Sequence, residues 1–235
     1  HDALKAIYPE GEVPGTHLGA LAAQIEKQTA TYEVNEETVE VALALVRPEG
    51  FDHSLDSDGS DVYTAEITYP VDREVLLAAW EDWTDKAGDF GFHYSPYNFD
   101  SNPEKSFFEQ MLASLNLRAD EVQDIYFTGA LTDPSKTDFY VEYLSEDDRW
   151  RRYTPDFILR RKDGRCLIVE IKDARFKAAT EQDIANHAKG AAAITTEGRK
   201  AVALKKWEHL NPDRLQYEIL FADADVIPYD QMTEA

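Results

Sequence analysis

The feature that most constrains this chain is a pair of apolar runs, residues 157–159 and 166–171, separated by a short polar segment. The segment between them contains Asp163-Gly164, and Asp-Gly between two apolar runs is a signal for a β-hairpin. Apolar side chains occupy both alternating faces of the two runs. The hairpin is therefore predicted to lie in the interior of a sheet rather than on the surface.

The register of this hairpin brings three charged residues together. With residues 162–164 as a three-residue loop and Gly164 in the left-handed conformation, Asp156 is predicted to lie opposite Glu170, with Cβ atoms about 5 Å apart. Lys172 follows two residues after Glu170 and is predicted to share its face. The alternative is a surface hairpin with scattered charge, and the two apolar faces argue against it.

Two facing carboxylates repel each other unless a divalent cation lies between them, and ligation by oxygen alone favours Mg²⁺ or Mn²⁺. Such an ion can bind a phosphate oxygen and activate a water molecule. Lys172 could orient that water or offset charge in the transition state. The trio therefore predicts hydrolysis of a phosphodiester.

The remaining pattern predicts an α/β protein built on a mixed sheet. We expect a smaller α+β module of unknown role at residues 1–95 and a second domain, which carries the hairpin, at residues 96–235. Predicted helices are 20–28, 72–86, 103–116, 177–194 and 199–208; predicted strands are 31–46, 62–69, 124–131, 139–144, 154–161, 165–172 and 215–221; predicted loops are 51–61 and 88–102.

The net charge fits a nucleic-acid ligand poorly. The chain has 24 Lys and Arg and 46 Asp and Glu, and its net charge of −22 should repel a polyanion. Residues 149–210, however, contain 15 basic and eight acidic residues. Cys166 is the one cysteine, so no disulfide forms within the chain, and we expect it to be a small buried residue. We find no apolar run long enough to span a membrane and no export signal, and predict a cytoplasmic location. The first residue is His, which we take to indicate a piece of a longer protein.

Pro155-Asp156 followed by Glu170-Ile171-Lys172 resembles the signature of the PD-(D/E)XK nucleases, which have the restriction-endonuclease-like fold. A helix before the sheet often supplies another glutamate in that fold, and Glu104 is the best match here, with Glu109 a weaker candidate. The alternative for Glu104 is a first-turn acid favoured by the helix dipole. Residues 97–104, 152–157 and 169–172 are together similar to the carboxyl-terminal nuclease region of type III restriction enzyme R (Res) subunits, a similarity that covers about residues 95–225.

The resemblance implies a restriction-endonuclease-like core and a Mg²⁺-dependent endonuclease that cuts duplex DNA in a restriction–modification system. Asp156, Glu170 and the Ile171 carbonyl would hold the metal. Lys172 would position the attacking water, and Glu104 would support the site. The family's partners are a helicase motor and a modification (methyltransferase) subunit. This chain has no Gly-x-x-x-x-Gly-Lys-Ser/Thr loop for ATP.

The residues expected to contact DNA are basic and flank the hairpin or lie on the helices after it. They are Arg151, Arg152, Arg160, Arg161, Lys189 and Lys200. For the two lysines the alternative is a solvated helix face. Two other functions stay open: a non-cleaving DNA-binding or assembly module that retains the fold, and a related nuclease that acts on branched or transposon-end DNA.

Overall fold

The computed structural model of this chain describes residues 19–20, 23–24, 41–117 and 120–223. It divides the chain into two compact units, His1–Ala42 and Leu43–Ala235. The helix predicted at 20–28 lies largely outside the described residues, and so does the predicted strand 31–46 as far as residue 40. Residues 41–46 form no strand, so that end of the strand prediction is wrong.

The second unit is a mixed α/β structure with one central sheet. Its strands are β1 (Asp52–Leu55), β2 (Asp61–Thr64), β3 (Leu77–Ala78), β4 (Tyr97–Asn98), β5 (Val122–Phe127), β6 (Val141–Leu144), β7 (Trp150–Tyr153), β8 (Phe157–Arg161), β9 (Cys166–Asp173) and β10 (Leu215–Ala222). Its α-helices are α1 (Thr84–Ala87), α2 (Asn102–Asn116), α3 (Lys177–His187) and α4 (Thr196–Leu210). Short 3₁₀ turns occupy Pro48–Gly50, Val71–Leu76, Trp80–Asp82 and Ala174–Phe176.

The central sheet has the strand order β10-β9-β8-β5. β9 pairs antiparallel with β8 and parallel with β10. A parallel neighbour needs a crossover connection, and α3 and α4 supply it between β9 and β10. The two-stranded ribbons β1-β2, β3-β4 and β6-β7 accompany this sheet.

The β8-β9 hairpin has the register expected from the sequence. Phe157 pairs with Val169, and Arg160 pairs with Cys166. Gly164 has φ +88° at the turn, a conformation that glycine adopts without strain. The prediction of a hairpin that closes through a left-handed glycine is confirmed.

Each face of the sheet packs against its own core. On one face Phe157 and Val169, both fully buried, pack with aromatic residues of α2 and with residues 76–99. On the other face Ile158 and Ile168 pack against Leu204 of α4. Because both faces are covered, the strands carry apolar side chains on both sides, as predicted.

The segment before α2 differs most from expectation. Residues 72–86 do not form one helix; two 3₁₀ turns, β3 and α1 replace it. The predicted loop at 51–61 contains β1, and β7 was not predicted. The predicted boundary at 95/96 does not coincide with the division at 42/43, because residues 76–99 share a core with α2.

No helix among the described residues is both long and apolar enough to cross a membrane.

Candidate active site

Asp156 immediately precedes β8, at the end of the hairpin farthest from the turn. The last pair of the ladder is Phe157 with Val169, so one further step along the register reaches Asp156 and Glu170. Oδ2 of Asp156 accepts a hydrogen bond from the backbone N–H of Ile171 at 2.8 Å. The Asp156 side chain is therefore held against β9, beside Glu170.

The loop after β5 fixes the backbone of Asp156. Its carbonyl accepts hydrogen bonds from the N–H groups of Thr128 at 2.8 Å and Gly129 at 3.1 Å. The Thr128 hydroxyl donates to the Pro155 carbonyl at 2.6 Å. A Cβ on Gly129 would lie 3.2 Å from Oδ1 of Asp156, so this glycine leaves room for the carboxylate.

Glu170 is the most deeply buried acid of the site, with 1% of its surface exposed. Its Oε1 forms an ion pair with Nζ of Lys172. Neither carboxylate oxygen accepts a hydrogen bond of ordinary geometry, and Oε2 has no partner among the described residues. Burial raises the pKa of Glu170, although Lys172 opposes the shift. A buried carboxylate oxygen without a partner is a costly feature, which suggests a ligand.

Lys172 lies between two carboxylates. Its Nζ contacts Glu170 and lies 3.4 Å from Oε2 of Glu197. The same ammonium lies 5.6 Å from the centre of the Tyr153 ring. Burial disfavours the charged form, but Glu170, Asp156 and Glu197 outweigh it and raise the pKa of Lys172. Lys172 is therefore a permanent cation in this site.

Glu197 and Lys200 reach the site from the first turns of α4. Oε1 of Glu197 accepts a hydrogen bond from Nζ of Lys200 at 2.9 Å, whereas Oε2 is buried and accepts none. Nζ of Lys200 also lies 4.6 Å from the centre of the Tyr153 ring. Burial raises the pKa of Glu197, but Lys172 and Lys200 outweigh it, and the net shift is downward.

Sequence reasoning did not find Glu197. Its spacing of three residues from Lys200 is the ordinary spacing of a solvated helical ion pair, so it gave no functional signal. What brings the pair inward is Asp183 of α3, whose carboxylate accepts hydrogen bonds from the N–H groups of Ile194 at 3.0 Å and Thr195 at 2.8 Å.

Glu104 caps the beginning of α2. Its Oε1 accepts from the hydroxyl of Ser101 at 2.7 Å, and its Oε2 accepts from the N–H of Asp100 at 3.0 Å. Burial and the nearby Asp156 carboxylate raise the pKa of Glu104 to about 8. Glu104 therefore lies in the first turn of α2, as both interpretations of the sequence expected, and its carboxyl group is also electrostatically coupled to Asp156. Glu109 is instead exposed and pairs with Lys86 at 2.5 Å.

Burial also raises the pKa of Asp156, to about 6, against the opposing effects of Lys172 and the Ile171 N–H. Among the described residues, no three His, Cys, Asp or Glu side chains come together as a group that could hold a metal ion. A metal would therefore rely on Asp156 and Glu170 together with non-side-chain oxygens. The unpartnered Oε2 of Glu170 fits such a ligand, because carboxylate oxygen is a hard donor.

The basic residues predicted to contact DNA fall into two separate groups. Arg151 and Arg152 lie on β7, which ends at Tyr153 of the site. Arg160 and Arg161 lie at the hairpin turn, about 13 Å and about 16 Å from Asp156 at roughly 3.3 Å per residue of strand. Lys189, just beyond α3, is exposed.

Most of these cations already have acidic partners. Arg151 pairs with Asp147 at 3.0 Å, and Arg152 with Glu142 at 3.5 Å. Arg161 contacts Asp163 at 3.3 Å. The arginines predicted to contact DNA therefore do not form one continuous patch, because they lie at opposite ends of β8.

A cleft of about 720 Å³ lies at the turn end of the hairpin, away from the acidic site, and its lining includes Arg160, Arg161, Arg165 and Cys166. Cys166 is half-buried, and burial raises the pKa of its thiol. Cys166 is thus less buried than the sequence predicted, and its raised pKa leaves little reactive thiolate at neutral pH.

Comparisons with protein-family models, with curated proteins and with solved structures give no match to this chain.

Proposed function

We propose that this chain is a metal-dependent endonuclease that hydrolyses phosphodiester bonds of duplex DNA. The observation that carries the proposal is the buried carboxylate of Glu170, which has an unpartnered oxygen, lies beside the ammonium of Lys172 and is one ladder step from Asp156. Two acids and a lysine at the end of a buried hairpin suit phosphoryl chemistry better than they suit stability, because burying charge is unfavourable.

Asp156, Glu170 and the carbonyl of Ile171 are the groups that would hold Mg²⁺ or Mn²⁺. Bound there, the ion would supply Lewis-acid activation of a phosphate oxygen and of a water molecule. The Ile171 N–H keeps the Asp156 carboxylate in place without occupying its other oxygen. This division of roles leaves Oδ1 of Asp156 and Oε2 of Glu170 as the donors.

Lys172 would stabilise negative charge on the phosphate in the transition state and orient the attacking water. Its permanent charge suits electrostatic stabilisation rather than proton transfer. In the hydrolysis, the water oxygen bonds to phosphorus, one bridging P–O bond breaks, and the products are a phosphate monoester and a hydroxyl group. Glu104 would stay protonated up to a pH of about 8, and its charge state would influence the electrostatic environment of the Asp156 carboxylate.

The mixed sheet with a hairpin at its centre supports a restriction-endonuclease-like core. The further proposal is that the chain is the nuclease part of a type III R subunit-like restriction enzyme. A helicase motor on the same protein and a modification methyltransferase subunit would then be its partners. The motor would supply ATP use, for which this chain carries no phosphate-binding loop.

A plasmid-nicking assay with Mg²⁺ or Mn²⁺ tests the proposal. Lys172→Ala and Asp156→Ala should each lower the rate of nicking at least ~100-fold, because each removes transition-state stabilisation. Lys177→Ala removes an exposed lysine of α3 and is the matched control, with a rate close to that of the wild-type protein. Nicking at the wild-type rate by purified, folded Lys172→Ala protein would refute the assignment.

A second candidate is a non-cleaving DNA-binding or assembly module. The observation that favours it is the Glu170–Lys172 ion pair, which balances buried charge without any ligand. Calorimetric titration with Mn²⁺ separates the two candidates. Binding that Asp156→Ala abolishes supports the nuclease, and absence of binding to the wild-type protein supports the module.

A further inference from the structure

Among the described residues of the site, Tyr153, Glu170 and Glu197 each have a buried side-chain oxygen that makes no hydrogen bond. Two lysines lie among them, and each contacts the Tyr153 ring. Lys172 has two carboxylate neighbours. One is Glu170 on the same strand, and the other is Glu197 on α4.

We propose that Glu197 is a positioning residue that receives the ammonium of Lys172 when a divalent cation takes Glu170. This inference rests on the proposed function, because it needs a metal bound through Glu170. Helix α4 would then influence metal binding, although none of its residues would be a metal ligand.

The distances from the Lys172 ammonium to its two carboxylate neighbours support this exchange. Nζ of Lys172 contacts Oε1 of Glu170 directly and lies 3.4 Å from Oε2 of Glu197. A metal on Glu170 competes with Lys172, because both are cations at one carboxylate. A buried ammonium that loses its only counter-charge is strongly unfavourable. Glu197 prevents that loss, since a small movement of the lysine completes the second ion pair.

Lys200 keeps Glu197 ready for this exchange. It occupies Oε1 of Glu197 at 2.9 Å and leaves Oε2, on the side of Lys172, without a hydrogen bond. Glu170 and Glu197 supply two negative charges, and Lys172 and Lys200 supply two positive charges. An arriving cation can therefore shift Lys172 from Glu170 to Glu197 without leaving a carboxylate or an ammonium unpaired.

The test is the affinity for Mn²⁺, measured by calorimetry on the full chain without DNA. Glu197→Gln should weaken Mn²⁺ binding about tenfold, because Lys172 then has only Glu170 to pair with. Glu181→Gln removes an equal charge from an exposed position of α3 and should leave the affinity unchanged.

A double-mutant cycle identifies the route of the effect. In a Lys172→Met background, Glu197→Gln should no longer change Mn²⁺ affinity. An equal affinity of Glu197→Gln and the wild-type protein would overturn the inference, and so would a loss that persists in Lys172→Met, which would mark Glu197 as a ligand. If the wild-type protein itself binds no Mn²⁺, the proposed function fails and the inference with it.

Discussion

At the scale of single residues, burial raises the pKa of two acids of the candidate site towards neutral pH. Burial raises the pKa of Glu104 to about 8 and that of Asp156 to about 6. Asp163 has the same kind of side chain, but it is exposed, and hydrogen bonds from Arg165 lower its pKa to about 2. The candidate site thus contains the acids whose protonation changes in the range where enzymes work.

Glu104 should make the stability of the protein depend on pH. Its ordinary pKa of 4.5 rises to about 8 on folding, so the folded state binds more protons than the unfolded state between these values. The free energy of unfolding should therefore fall as the pH rises from about 4.5 to about 8. Urea denaturation at pH 5, 6, 7 and 8 measures this slope.

Glu104→Gln should flatten that slope, because an amide does not titrate. Glu109→Gln, on the exposed side of α2, should keep the wild-type slope. Parallel stability curves for wild type and Glu104→Gln would contradict the assignment of the pH dependence to Glu104.

At the scale of elements, the beginning of α4 depends on a buried carboxylate of α3. Asp183 accepts hydrogen bonds from two N–H groups and from the Thr195 hydroxyl at 2.7 Å. Thr195 in turn caps α4 by accepting from the N–H of Gly198 at 3.0 Å. The position of the Glu197–Lys200 pair follows from this contact between helices.

Gly198→Ala should destabilise the protein by about 1–3 kcal/mol, because the new Cβ would lie 2.2 Å from Oδ2 of Asp183. An alanine inside a helix is otherwise favourable by up to ~1 kcal/mol over glycine. The Cβ of Asp183 would also lie 2.5 Å from the new Cβ, so relief of the clash requires its removal as well. In an Asp183→Gly background, Gly198→Ala should therefore become neutral or stabilising. Thermal unfolding of the four proteins measures the coupling, and additive effects would exclude the proposed clash.

At the scale of the whole molecule, the charge of −22 opposes DNA binding, so the proposed function requires local cations to position the DNA. The arginines of β7 adjoin the site, and those of the hairpin turn do not. A duplex positioned for cleavage should therefore contact the arginines of β7 rather than those of the hairpin turn.

Arg152→Ala should weaken duplex binding and reduce the slope of log affinity against log salt by about 1, as expected for one lost phosphate contact. Arg161→Ala, a similarly exposed arginine at the turn, should change neither quantity. Fluorescence anisotropy with the Asp156→Ala protein, which leaves the DNA uncut, measures both. A larger loss for Arg161→Ala would place the DNA at the turn instead.

The sequence by itself determined the hairpin, its register and the meeting of Asp156 with Glu170 and Lys172. These features depend on strand alternation and on a local turn, and both are determined by residues that lie close together in the sequence. The same holds for α2, whose capping residues Ser101 and Glu104 are three positions apart.

Only the tertiary structure decided that Glu197 and Lys200 join the site and that the basic residues divide between its two ends. The Lys172–Glu197 contact spans 25 positions and depends on how α4 is held by α3. Residues 76–99 share a core with α2 for a similar reason, since their aromatic side chains pack against that helix. Contacts between distant segments arise from tertiary packing, which produces no fixed residue spacing that could be recognised in the sequence.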